Sequence, residues 1–305
     1  NVGGEKDAAL AAEANADGVG LFRTEFCFLD RDEEPSIVEQ AEAYAGVLRH
    51  FPGRKVVIRT LDAGADKPLP FLTDADEPNP ALGVRAYRTS WEKRSVLENQ
   101  LKAIAKASRE TSAEPWVMAP MISTLEDTED FVSMARSAGV ERAGIMVETP
   151  SAALTSDHLM GVADFASIGT NDLTQYTMAA DRMLGSLAQL NDPWQPAVLA
   201  LVGATATGAR VAGGDPEAFG DGANKPVGVC GEAAGDPALA VVLVGLGVNS
   251  LSMTPRSLPA VAKVLSTVTL ADARELARLA VCAPTAAEGK RTVRAKLPII
   301  EELGL

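Results

Sequence analysis

Short β-branched and apolar runs recur along this chain, separated by stretches long enough for a helix, and this alternation limits the fold more than any other feature. Runs at 18–22, 55–59, 83–87, 116–121, 143–148, 165–169, 226–230 and 249–253 read as strands. Helix boundaries fall between them. Ser123 with Glu126 reads as a capping box opening 124–138, which Gly139 closes. Asp236 followed by Pro237 reads as an N-cap with proline at the first helical position, opening 237–246. Pro35 opens a helix that ends before Pro52 and Gly53. Eight strand–helix units predict an α/β chain folded as a (β/α)8 TIM barrel, in which the residues that do chemistry stand at the C-terminal strand ends. An open doubly wound sheet is the alternative, but the Gly-rich phosphate turns that announce it are absent. Residues 181–226 are long for one connection, and their Gly/Asp-rich stretch 212–226 reads as a mobile loop. Residues 284–305 follow the last barrel helix, 271–282, as a tail in which Pro298 limits helix formation.

With 305 residues and 47% hydrophobic content, the chain can bury one large core or two modest ones. No apolar run approaches the roughly 20 residues that cross a bilayer. The longest, 238–248, is interrupted by Gly245 and Gly247 and reads as a buried helix. No basic stretch followed by an apolar one opens the chain, and three widely spaced cysteines suit a reducing cytosol, so a cytoplasmic location is expected. A start at Asn1 reads as a domain cut from a longer polypeptide. The net charge of −13 argues against a nucleic-acid partner. It does not exclude an anionic substrate, since arginines gathered in a cleft set the local potential against the global one.

The expected strands end in residues suited to phosphate or a divalent metal. Arg23, Arg59 and Arg85 each end or follow an apolar run, where a charge is costly unless paired. Their planar forks match phosphate and carboxylate oxygens, and pairing with a neighbouring Asp or Glu is the alternative. Glu148 and Asp172 end adjacent strands and suit Mg²⁺, an oxygen-seeking ion, although Asp172 could instead cap the next helix. Asn171 beside it adds an amide for substrate. Cys230, between Gly228 and Gly231 with Glu232 nearby, is expected to face a pocket. Either a nucleophilic thiolate or a proton-donating thiol suits this position, and Glu232 with a bound phosphate favours the donor. His50 and His158 lie in helical patterns and read as surface or capping residues, so no phosphorylated histidine is expected in the chain itself.

In order, GVGLFRTEF, VVIRTLDAGADKPLP, NPALGVRAYR, VMAPMIST, IMVETPSAAL, SIGTNDLTQYTMAADR and GVCGEAAGD resemble the C-terminal phosphoenolpyruvate-binding half of enzyme I of the bacterial sugar phosphotransferase system. Pyruvate phosphate dikinase and phosphoenolpyruvate synthase share the RTE, ETP and CGE elements, and RTLDAGADKPLP favours enzyme I over them. The resemblance implies a barrel over 1–285 and a tail over 286–305. It implies that Arg23, Arg59, Arg85 and Arg182 bind the phosphate and carboxylate of phosphoenolpyruvate with help from Asn171, and that Glu148 and Asp172 hold Mg²⁺. Cys230 would protonate the methylene carbon of enolpyruvate, giving pyruvate, as the phosphoryl group leaves for a histidine. That histidine belongs in the family to a separate N-terminal domain, which passes the group to a phosphocarrier protein. A homodimer through the barrel is also implied. The alternatives are the corresponding domain of a dikinase and a non-catalytic module that senses phosphoenolpyruvate. Two departures from the family pattern stand out: Gly64-Ala65-Asp66-Lys67 for Gly-Gly-Asp-Lys, and the segment from Met183-Leu184 to Gln189-Leu190-Asn191 after Arg182.

Overall fold

The computed structural model describes residues 1–65, 68–73, 76–214 and 225–305. Among them are seven strands: β1 (Val19–Arg23), β2 (Lys55–Arg59), β3 (Glu114–Ile122), β4 (Arg142–Val147), β5 (Ala166–Gly169), β6 (Val227–Cys230) and β7 (Ser250–Leu251). Their order in the sheet is their order in the chain, the signature of the expected α/β barrel class. Packing divides the chain into two compact units, Asn1–Ile122 with Glu126–Met146, and Ser123–Leu125 with Val147–Leu305.

In the first unit β1, β2 and β3 pair in parallel, with Arg23 opposite Arg59 and Arg59 opposite Met118. Val2 bridges Phe22 in parallel, its N–H donating to the Leu21 carbonyl at 2.9 Å and its carbonyl accepting from Arg23 at 3.0 Å. The unit's helices are α1 (Glu5–Glu13), α2 (Ile37–Leu48), α3 (Arg94–Arg109) and most of α4 (Leu125–Ser137). Ser36, rather than Pro35 alone, sets the start of α2 through a reciprocal capping box with Glu39. Phe22, Tyr44, Ile58, Leu101, Ile104 and Met118 are fully buried and form the core between strands and helices.

Residues 83–87 are not a strand. Pro80–Leu82 and Ala86–Trp91 form 3₁₀ turns instead. Pro80 stands at the start of the first turn, and Ala86 has φ 55°, a left-handed conformation outside strand geometry. The Arg88 Nη1 donates to the carbonyls of Leu82 and Gly83 at 3.2 and 3.1 Å, closing the loop upon itself.

In the second unit β5, β6 and β7 pair in parallel, with Gly169 opposite Cys230 and Val229 opposite Leu251. Its helices are α5 (Pro150–Leu154), α6 (Ser156–Val162), α7 (Thr170–Met178), α8 (Pro196–Ala212), α9 (Pro237–Gly245), α10 (Leu258–Leu265), α11 (Leu270–Val281), α12 (Ala286–Ala295) and α13 (Pro298–Glu302). The expected cap of α9 is present: the Asp236 carboxylate accepts from the Ala238 and Leu239 N–H groups at 3.0 and 3.2 Å. The long 181–226 connection is organised around α8, and the core of its Gly/Asp-rich stretch, 215–224, lies outside the described residues. The tail is helical, with Pro298 at the start of α13, where its missing N–H costs nothing. No helix of the described residues is long and apolar enough to cross a membrane.

Candidate active site

Among the described residues six charged side chains are buried: Glu25, Arg59, Asp62, Arg85, Glu148 and Asp172. Apart from Arg85, in the loop that replaces the expected strand, all lie at or just beyond the C-terminal end of a strand. Burial of a charge is costly without partners, so each of these groups calls for compensating contacts.

In the first unit these groups form a chain of ion pairs. Arg59 ends β2, and its Nη2 reaches Glu25 Oε1 at 2.7 Å while its Nη1 reaches Asp62 Oδ2 at 3.0 Å. Arg85 Nη2 meets the other oxygen of Asp62 at 2.9 Å. One carboxylate therefore brings two of the expected substrate arginines together. Glu25 also accepts the Asp62 N–H at 3.1 Å, which fixes the segment after β2 against the turn after β1. Arg23 is placed differently: it is exposed, and its guanidinium lies over the Phe26 ring at 5.3 Å. Arg23 makes no ion pair among the described residues.

Behind this chain lies a buried polar network. The Gln100 Oε1 on α3 accepts the Leu61 N–H at 2.9 Å, while its Nε2 donates to the Thr24 hydroxyl at 3.0 Å and the Tyr44 hydroxyl at 3.1 Å. Thr24 in turn donates to the Arg59 carbonyl at 2.8 Å, and Tyr44 to Gln40 at 3.0 Å. Complete burial pushes the Tyr44 phenol well above its ordinary range and keeps it a neutral donor. Burial and the neighbouring Glu25 likewise raise the Cys27 thiol to about 11, so Cys27 is an inert thiol at neutral pH.

In the second unit the expected groups stand at or just beyond the ends of β4, β5 and β6. Glu148 follows the last residue of β4 and is buried. The chain passes from β5 straight into α7, which puts Asn171 and Asp172 in the first helical turn, where the macrodipole favours a carboxylate. Arg182 comes within 4.0 Å of Asp172, and its N–H donates to Gln175 Oε1 at 2.9 Å. Cys230 ends β6 at 1% exposure. Its thiol donates to the Ile168 carbonyl at 3.5 Å and accepts from the Ser167 hydroxyl at 3.7 Å, while Thr170 donates to the Cys230 carbonyl at 3.1 Å. Gly231 makes the approach possible. At φ 97°, any Cβ there would stand 2.8 Å from Thr170 Oγ1 and 3.0 Å from Asn171 Oδ1.

Mg²⁺ is usually held by one or two carboxylates and completed by substrate oxygens. Glu148 and Asp172 fit that donor set, since both are buried carboxylates of the second unit at strand ends. No group of three or more His, Cys, Asp or Glu able to hold a metal occurs among the described residues.

Sequence reading alone missed Glu25, Asp62 and Gln100. Glu25 and Asp62 stand inside the RTE and RTLD strings, and their acidity beside arginine was the available signal. Gln100 carries no signal, because its partners lie 39 to 76 residues away.

The pattern of one protein family, PEP-utilising enzyme, PEP-binding domain, matches residues 1–270. The chain belongs to that family. It is 50% identical over 299 residues to a phosphoenolpyruvate-protein phosphotransferase of Streptomyces coelicolor, covering 97% of this chain and 52% of the relative. A protein of the same description from Haloferax volcanii is 44% identical over 94% of this chain and 51% of its own length. A multiphosphoryl transfer protein of Rhodobacter capsulatus is 40% identical over 94% of this chain and 34% of its own length. The chain spans about half the length of the first two relatives.

Proposed function

We propose that this PEP-binding domain donates the phosphoryl group of phosphoenolpyruvate to a histidine on a separate domain and releases pyruvate, as the catalytic half of a phosphoenolpyruvate–protein phosphotransferase in sugar uptake. The observation that carries this reading is the confinement of buried charge to the strand ends and the Arg85 loop. The names of the relatives support the reaction class. By the same resemblance the domain is cytoplasmic, works as a homodimer, and passes the group through its histidine domain to a phosphocarrier protein.

Phosphoryl transfer depends on positioning and charge neutralisation more than on covalent assistance. In this reading Arg59, Arg85, Arg23 and Arg182 grip the phosphate and carboxylate oxygens, with Asn171 donating from the start of α7. Glu148 and Asp172 hold Mg²⁺, which neutralises oxygen charge when bound. As the P–O bond breaks and the P–N bond to the acceptor histidine forms, the enolate left behind takes the Cys230 thiol proton at its methylene carbon. Pyruvate results, and the thiolate recovers a proton before the next cycle. The thiol's bond to the Ile168 carbonyl supports the donor role over the nucleophile, since the proton is held on sulfur.

Calorimetric titration of phosphoenolpyruvate into the chain tests this. Heat is expected with Mg²⁺ and is lost on chelation. Cys230→Ala should keep binding and abolish pyruvate formation once a histidine-bearing acceptor domain is added. Absence of heat with Mg²⁺ present would refute the site assignment.

A further inference from the structure

The loop that replaces the expected strand at 83–87 is gripped on both sides of Arg85. On one side the Val84 N–H donates to Glu77 Oε1 at 2.7 Å. On the other, the Ala86 N–H donates to the Ala63 carbonyl at 2.8 Å, and the Tyr87 hydroxyl donates to Asp130 Oδ2 at 2.6 Å. The Tyr87 ring stands edge-on to Phe131, centroids 6.3 Å apart. Arg94, the first residue of α3, holds both oxygens of Asp130 on α4, at 3.0 and 2.8 Å. The Arg94 bonds hold the Asp130 carboxyl below its usual range, with Tyr87 adding to the effect, so it remains an anionic acceptor.

Between Arg85 and Tyr87 sits Ala86 at φ 55°, a conformation that a residue with a Cβ leaves unless its neighbours hold it. We propose that Tyr87 and Asp130 are positioning residues for substrate binding: their hydrogen bond keeps Ala86 in its strained conformation and thereby sets the guanidinium of Arg85 beside Asp62. This rests on the reading that Arg85 binds phosphoenolpyruvate. The Arg94–Asp130 pair is half exposed, at 49% and 39%, and contributes little to stability. What it supplies is a fixed anchor for the hydroxyl. A misplacement of about 1 Å at a substrate-positioning group is enough to cost large factors in function.

The test is calorimetric titration of phosphoenolpyruvate with Mg²⁺ into the unmutated chain, Tyr87→Phe, Asp130→Asn, and each of these combined with Ala86→Gly, with thermal unfolding followed in parallel. Each single variant is expected to bind about five- to tenfold more weakly, the worth of one typical hydrogen bond. Ala86→Gly should restore most of that loss, because glycine holds a positive φ without a clamp. A purely structural clamp would lower the melting temperature and leave the affinity of the folded protein unchanged. Unchanged affinity in both single variants, or no recovery with Ala86→Gly, overturns the proposal. Should Tyr87→Phe fail to fold, the Asp130→Asn pair decides. No heat from the unmutated chain overturns the substrate reading, and this inference with it, whereas heat there with unaffected variants overturns the positioning role alone.

Discussion

Asp62 shows how one carboxylate organises a site. Its two oxygens reach two arginines, at 3.0 and 2.9 Å, and all three side chains are almost wholly withdrawn from water. In such a setting the pair itself need not stabilise the fold, yet removing one partner strips a buried charge of part of its compensation. Asp62→Asn keeps the shape and removes the carboxylate that Arg59 and Arg85 share, while Glu25 still faces Arg59. It should lower unfolding stability by about 3–5 kcal/mol, read from the urea midpoint of the apo chain. A loss of only a few tenths would show that other groups neutralise the arginines. An anionic ligand should recover part of the loss, because it replaces the missing charge and binds only the folded chain.

At the scale of elements, α9 shows how closely this chain packs. Its sequence PALAVVLVG is apolar on every face, which marks a helix covered on all sides, and α10, α11 and α12 pack against it. Gly245 lets α11 approach: a Cβ there would overlap the Ala273 carbonyl oxygen and stand 2.9 Å from the Ala277 methyl. Alanine ordinarily stabilises a helix over glycine by about 1 kcal/mol. Here the sign should reverse, and Gly245→Ala should cost about 1–3 kcal/mol by overpacking, seen as a lower melting temperature. Nothing in the sequence marks that glycine as different from Gly203 or Gly161, since its neighbour is a tertiary fact. The same distinction decides what the sequence did reveal. Seven of the expected strands are present because period and β-branching are local, and the Asp236–Pro237 helix start was legible for the same reason. The run 83–87 misled because Val84 and Tyr87 look like strand residues, whereas Pro80, the Ala63 carbonyl and Asp130 hold the backbone otherwise. The arginines of the candidate site were legible from their place after apolar runs. Asp62 stands three residues after Arg59, a spacing the sequence does show, whereas the Glu25–Arg59 and Asp62–Arg85 pairs join residues 34 and 23 apart that no spacing rule links.

At the scale of the whole molecule the instructive segment is the last one, read from sequence as a tail. Val293, Leu297 and Ile300 are buried, and α12 lies against α9 and α11. Lys290 on α12 comes within 3.7 Å of Asp236, the residue that caps α9 and accepts the indole N–H of Trp194 at 3.0 Å. The helical end of the chain is therefore packed onto the element that follows the Cys230 strand, not trailing from it. Burial of its three large apolar side chains contributes roughly 4–8 kcal/mol as an upper estimate. Ending the chain at residue 285 should accordingly lower the melting temperature by many degrees, expose the apolar faces of α9 and α11 to a hydrophobic dye, and shift Trp194 emission to the red. A loose appendage would give none of these changes. Lys290→Met separates the two contributions: it keeps the packing and removes the charge that faces Asp236 and the Trp194 ring, from a lysine that is 44% exposed. That variant should therefore melt within about 1 kcal/mol of the unmutated chain, showing that buried carbon rather than the ion pair holds the end of the chain in place.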